Sequence, residues 1–124
     1  MKQIKVLAVD DDIINLKLLK SMLMKLPNVS EVLEAKNGED GLKILKSRTD
    51  INLILLDIIM PIMNGIEMLK IVRSDESLSN IPVIVLTTDE TKKSEALECG
   101  ANDFIMKPVR EKNVSEKIAR LINI

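Results

Sequence analysis

The runs Leu53-Ile54-Leu55-Leu56 and Val83-Ile84-Val85-Leu86 are apolar at every successive position. Side chains alternate between the two faces of a strand, so a run with no polar member must be buried on both. Helices covering both sides of a parallel sheet meet that condition, and each parallel return needs a crossover. The chain supplies the crossovers. "IINLKLLKSMLMKL" carries Leu16, Leu19, Leu23 and Leu26 at helical spacing and is stopped by Pro27. "EDGLKILKS" follows the Asn37-Gly38 turn signal with Leu42 and Leu45 inward, and Gly65 closes a loop before Ile66, Leu69 and Val72. "DETKKSEALEC" has a weak apolar side and ends at Gly100, while Val114, Ile118, Leu121 and Ile122 make the clearest amphipathic stripe. Between these lie the strand-like runs "IKVLAV", Val32 to Ala35, "LILLD", "PVIVL" and "DFIM". The expected fold is α/β, five parallel strands with five helices, in one domain over residues 1–124.

Composition removes several functions. A net charge of −1 gives no electrostatic drive toward nucleic acid or anionic lipid, and a single aromatic residue, Phe104, leaves no base-stacking surface. No run is long enough to span a bilayer, so neither nucleic acid nor membrane insertion is expected. The N-terminal "MKQIKVLAVDDD" runs from its apolar stretch into three acids without a small-residue cleavage site, and reads as a first strand. Cys99 is the only cysteine, which excludes an internal disulfide and fits a reducing cytoplasm.

The strand ends carry the chemistry. In a parallel sheet the C-terminal ends line one edge, where open α/β folds bind ligands. Here those ends are Asp10 and Asp11, Asp57, Thr87 and Lys107. Carboxylates at close range either raise one another's pKa or recruit a cation, and an all-oxygen site without His or Cys suits a hard ion such as Mg²⁺. Metal and ammonium together suit a phosphoryl group, and a carboxylate can itself accept one as an aspartyl phosphate.

Taken together, "VDDD", "LLDIIMPIMNG", "VLTT" and "FIMKP", in this order, resemble the response-regulator receiver domain of two-component signalling, similar to the single-domain chemotaxis type. The resemblance implies a flavodoxin-like doubly wound sheet of order 2-1-3-4-5. It implies Asp57 as phosphoacceptor, and Asp10 and Asp11 with the Ile59 backbone carbonyl as holders of Mg²⁺ or Mn²⁺. Thr87 is implied as the hydroxyl that moves onto the phosphoryl group, Lys107 as its cation, Lys107-Pro108 as a cis bond, and Phe104 as an aromatic switch turning inward behind Thr87. Met60, Pro61 and Gly65 match the loop at the pocket floor. The implied partners are a histidine kinase or phosphotransfer protein as donor and a downstream protein on the helix 4/strand 5/helix 5 face. With no histidine in the chain, the donor must be a separate molecule, and no output domain is expected within these residues. Such a chain is no separate enzyme but catalyses its own phosphorylation and dephosphorylation. Ile59 and Asp89 depart from the commonest family pattern at positions that tune self-hydrolysis, and apolar Ile59 predicts a long phosphoryl lifetime.

Simpler roles compete for several residues. Asp12 is a helix N-cap by type, and Thr88 or Asp89 can cap the fourth helix, leaving Thr87 for the site. Cys99 reads as a small structural residue, the methionines as core filler, and Lys17, Lys20 and Lys25 as a solvated face that could instead meet a phosphodonor. "VDDDII" also resembles the first motif of haloacid-dehalogenase-type phosphohydrolases, with Asp10 as nucleophile and Asp12 as acid/base, but that leaves Asp57 without a task. An FMN-binding flavodoxin would need aromatics and a Ser/Thr/Gly-rich phosphate loop that the chain lacks.

Overall fold

The computed structural model describes residues 3–122. Its elements alternate as β1 (Ile4–Val9), α1 (Ile13–Met24), β2 (Val29–Ala35), α2 (Gly38–Ser47), β3 (Leu53–Asp57), α3 (Gly65–Ser74), β4 (Val83–Thr87), α4 (Glu90–Glu98), β5 (Asp103–Met106) and α5 (Glu111–Ile122). The strands form one parallel sheet of order β2-β1-β3-β4-β5. This is the flavodoxin-like, doubly wound α/β arrangement that the resemblance implied.

Strand alternation divides the core into two layers. Leu53 and Leu55 of β3 and Ile84 and Leu86 of β4 pack with Leu16, Leu19 and Leu23 of α1 and with Val114 and Ile118 of α5. Ile54 and Leu56, Val83 and Val85 point the other way, onto Leu42 and Leu45 of α2, Leu69 and Val72 of α3, and Ala96 of α4. All residues of β3 and β4 are buried, as their unbroken apolar runs require. Each such Leu or Ile contributes about 1.5–3 kcal/mol by leaving water.

Three boundaries differ from the sequence reading, each for a local reason. β2 starts at Val29, ahead of Val32, because it is an edge strand whose polar Ser30 and Glu31 mask its first half. α1 ends at Met24, so Leu26 stands outside it and caps the turn by donating its N–H to the Leu23 carbonyl at 3.0 Å. Gly65 is the first residue of α3, where Asn64 and Glu67 form a reciprocal capping box.

Gly65 also sets how closely α3 approaches the third strand. Its N–H donates to the Ile58 carbonyl at 2.7 Å, and a Cβ there would collide with the Asp57 carbonyl and lie 2.8 Å from the Ile58 Cα. These are backbone atoms that no rotamer change can relieve. The Gly65→Ala variant is therefore expected to lose about 1–3 kcal/mol, measured by urea unfolding. An unchanged midpoint would show that the loop has slack.

Candidate functional site

The register brings the polar strand ends side by side. Val9 pairs with Leu56, so Asp10 and Asp57 come next on neighbouring strands; Asp57 pairs with Leu86, and Thr87 with Met106 just before Lys107. Asp10, Asp57 and Thr87 are three of the few buried polar residues, at 0%, 6% and 2% exposure. They share a cavity of about 350 Å³ with Asp11, Asp12, Asn15, Ile59, Thr88 and Lys107. The structure thus brings Asp10, Asp11, Asp57, Ile59, Thr87 and Lys107 together, while Phe104, Pro108 and the loop residues Met60, Pro61 and Gly65 do not line this cavity.

Lys107 is the centre of the arrangement. Its ammonium lies 3.3 Å from Asp10 Oδ2 and 3.3 Å from Asp57 Oδ1, with its side chain largely buried. The other Asp10 oxygen accepts the backbone N–H of Asp12 at 2.9 Å. The Lys107 backbone N–H donates to the Thr87 carbonyl at 2.9 Å, and the Lys107–Pro108 bond is cis.

Two buried acids, Asp10 and Asp57, flank this one ammonium, and the exposed Asp11 stands beside them. One oxygen from each of Asp10, Asp11 and Asp57 falls in a group spanning no more than 4.8 Å. Burial, and then the negative charge of Asp10, raise the Asp57 carboxyl to about 6 against the opposing pull of Lys107. Burial works against the Lys107 ammonium too, but Asp57 and Asp10 together outweigh it and its pKa lies above the ordinary lysine value. An excess of buried carboxylate oxygen of this kind fits a hard divalent cation, and the donor set is all oxygen, as Mg²⁺ prefers. Among the described residues, the opposite edge of the sheet matches its charges. There Lys5 and Arg48 meet Asp50 and Glu31 through contacts of 2.7–2.9 Å, and Arg48 holds the Asp50 carboxyl well below its usual range.

The Thr87 hydroxyl is engaged by the start of α4. Its Oγ accepts the Asp89 backbone N–H at 3.0 Å and lies 3.3 Å from the Asp89 carbonyl, while Asp89 caps α4 through Thr91. Asp12 likewise caps α1, accepting the Ile14 N–H at 2.9 Å. That cap occupies the side chain the phosphohydrolase alternative needs as its acid/base. Phe104 pairs with Val85, shares the face of Thr87 and is half-buried against the core layer of α2, α3 and α4.

The loop after Asp57 holds a feature the sequence did not disclose. Ile62 has φ of 68°, and the Met63 N–H donates to the Pro61 carbonyl at 2.7 Å across it. A β-branched residue in this region costs about 1–2 kcal/mol. The side chain gains nothing in return by burial, since it is 74% exposed. Asn15 and Thr88 also line the cavity, although only Thr88 carried a sequence signal, its position after Thr87.

Similarity to known proteins follows the same lines. Residues 6–119 match the family described as response regulator receiver domain. The chain is 35% identical over 116 residues to the chemotaxis protein CheY1 of Helicobacter pylori, covering 92% of this chain and 93% of that one. Among solved structures, the chemotaxis response regulator CheY4 of Vibrio cholerae superposes with a TM-score of 0.88 at 30% identity, over 97% of this chain and 99% of that one. The CheY of Borrelia burgdorferi, solved in a complex with CheX, BeF3 and Mg²⁺, gives 0.85 at 28% identity, over 98% and 90%.

The raised Asp57 pKa has a stability consequence when no cation is bound. Between the ordinary value of 3.8 and about 6 the folded chain holds a proton that the unfolded chain has released. Stability therefore falls as pH rises through that window, and the penalty is complete above it. In EDTA at neutral pH, Asp57→Asn is expected to be more stable than wild type by on the order of 2 kcal/mol. The gap should close toward pH 4 and also when Mg²⁺ is added, because only wild type then gains; urea titrations at several pH values measure it. A less stable variant at neutral pH would contradict the charge excess.

Proposed function

This chain belongs to the response regulator receiver domain family, and on that premise we propose that Asp57 is its phosphoacceptor. The observation that carries the reading is the single ammonium of Lys107, shared at 3.3 Å between Asp57 and Asp10 inside a group of three carboxylates. The Asp57 carboxylate oxygen attacks phosphorus, the P–N bond of a phosphohistidine donor breaks onto the imidazole nitrogen, and an acyl phosphate results. Asp10, Asp11 and Asp57, with the Ile59 carbonyl, would hold Mg²⁺ or Mn²⁺, which supplies charge neutralisation to the phosphoryl oxygens. Lys107 is already in place to follow the new negative charge from the carboxylate to the phosphoryl group.

The switch begins with Thr87. To reach a phosphoryl oxygen its hydroxyl gives up Asp89, which frees the start of α4 and opens the space that the Phe104 ring can enter. The face made by α4, β5 and α5 is repacked, and a downstream protein reads the change. Water attack at phosphorus later returns Asp57 and inorganic phosphate, so both half-reactions occur on this chain without a separate enzyme.

A protein donor is supported by what borders the cavity. A cleft of about 380 Å³ lined by Leu18, Leu19, Met22, Pro108 and Val109 adjoins Asp10 and Lys107. Ile13, Ile14 and Leu18 of α1 stay 53–67% exposed beside it, which is apolar surface suited to a partner. A histidine kinase or phosphotransfer protein would meet this side, where α1 adjoins α5 and the loop that leads into it. No helix among the described residues is long and apolar enough to cross a membrane. The unpaired Cys99 fits a reducing cytoplasm, where we place the protein.

Incubation with a small acyl phosphate and Mg²⁺, followed by peptide mapping, should place one phosphoryl group on Asp57; Asp57→Asn and chelation of the metal should each abolish it. Label on Asp10 would instead establish the phosphohydrolase chemistry. Ile59 is 64% exposed at the cavity mouth and offers no polar atom to an attacking water. The Ile59→Asn variant should therefore lose its phosphoryl group several-fold faster than wild type, followed as phosphate release, and equal rates would remove Ile59 from control of the lifetime.

A further inference from the structure

The only aromatic ring in the chain is gripped by two cations. The Lys93 ammonium, from the first turn of α4, lies 3.9 Å from the centroid of Phe104, and that of Lys117, from α5, lies 4.8 Å from it. The two lysines are not equivalent. Lys117 is tied at 2.9 Å to Asp103, the residue beside Phe104 on β5, so it is anchored to the strand that carries the ring. Lys93 forms no salt bridge among the described residues, whereas its neighbour Lys92 pairs with Glu95. The residue is half-buried, and among the described residues the ring face is the partner of its ammonium.

We propose that Lys93 is a positioning residue of the switch, holding Phe104 in its resting place and thereby setting how readily the site takes up a phosphoryl group. The proposal rests on the reading of Asp57, Thr87 and Phe104 given above. Two contacts fasten the beginning of α4 to the sheet: Thr87 Oγ on the backbone of Asp89, and Lys93 on the ring of Phe104. Movement of Thr87 toward Asp57 breaks the first, and inward rotation of Phe104 breaks the second. Inward rotation takes the ring face from beneath Lys93, so the resting arrangement is favoured by that contact. By linkage, weakening that contact must tighten binding of whatever favours the turned-in ring.

The test separates this mechanism from the bare field of the lysine. A cation near the site attracts an anion, so loss of the Lys93 charge acting through space alone would weaken binding of beryllofluoride, which mimics a carboxylate-bound phosphoryl group. The latch gives the opposite sign. With Mg²⁺ present, Lys93→Gln should bind beryllofluoride about two- to fivefold more tightly than wild type, the range expected from one partly exposed cation–π contact. Lys93→Arg, which keeps a cation over the ring, should match wild type. Because Phe104 is alone, its ring resonances can be followed by NMR without overlap and should move in Lys93→Gln before any ligand is added. Unmoved resonances, weaker or unchanged binding, or an Arg variant that behaves like Gln would each overturn the latch while leaving the phosphoacceptor intact. A wild type that binds no beryllofluoride, or an Asp57→Asn variant that binds it equally well, would overturn the site reading and the latch with it.

Discussion

The placement of three carboxylates against one ammonium at the C-terminal edge of the sheet is the constraint around which the rest of this molecule is arranged. Such a cluster opposes folding, since desolvation and mutual repulsion act together on Asp57. The cost is met elsewhere, by a core in which β3 and β4 are buried throughout and α1 and α5 cover one face while α2, α3 and α4 cover the other. The sheet's other edge shows what a purely structural solution looks like: Lys5 and Arg48 against Asp50 and Glu31, cation for anion. Among the described residues the carboxylate excess gathers at the C-terminal edge, where, on the proposed function, an incoming cation and phosphoryl group would restore balance.

Rigid backbone keeps the acids from drifting apart. Asp57 closes a central strand, and the chain leaving it is pinned by the Gly65 N–H on the Ile58 carbonyl and by the Asn64–Glu67 capping box. The left-handed Ile62 sits within this short span, so the turn is held against its own conformational preference by the contacts at either end. A loop so determined cannot relax to move Asp57 out of its pocket, and its carboxyl is raised first by burial and then by the charge of Asp10.

Much of this was legible in the sequence because two periodicities were clean. Unbroken apolar runs gave β3 and β4, and polar residues stopping those runs gave Asp57 and Thr87; parallel direction then placed them at one edge with Asp10 and Lys107. The order of the strands came from the family resemblance, since periodicity does not fix which strands are neighbours. What stayed hidden depended on contacts between distant elements or on backbone angles. The start of β2 is masked because Ser30 and Glu31 lie on an edge strand, where polar residues meet solvent. The second apolar side of α1, with Ile13, Ile14 and Leu18 exposed, breaks the rule that apolar means inward. The grip of Lys93 and Lys117 on Phe104 joins two helices through a strand, and no spacing along the chain encodes it.

The energetics of the switch proposed above follow from these particulars. Carrying a two-state equilibrium from about 1:99 to 99:1 takes roughly 5.5 kcal/mol of differential stabilisation. The resting contacts that must be surrendered are individually small: a threonine hydroxyl on one residue's backbone, and a lysine on one ring, each worth about 1 kcal/mol. They are enough to keep α4 and Phe104 in place when Asp57 is free. They are too few to resist a phosphoryl group that brings nearly two negative charges into reach of Lys107, Thr87 and a cation at once. On that proposal the same unmatched carboxylates make the site sensitive, because the ligand that moves the switch also cancels the repulsion the fold has been carrying.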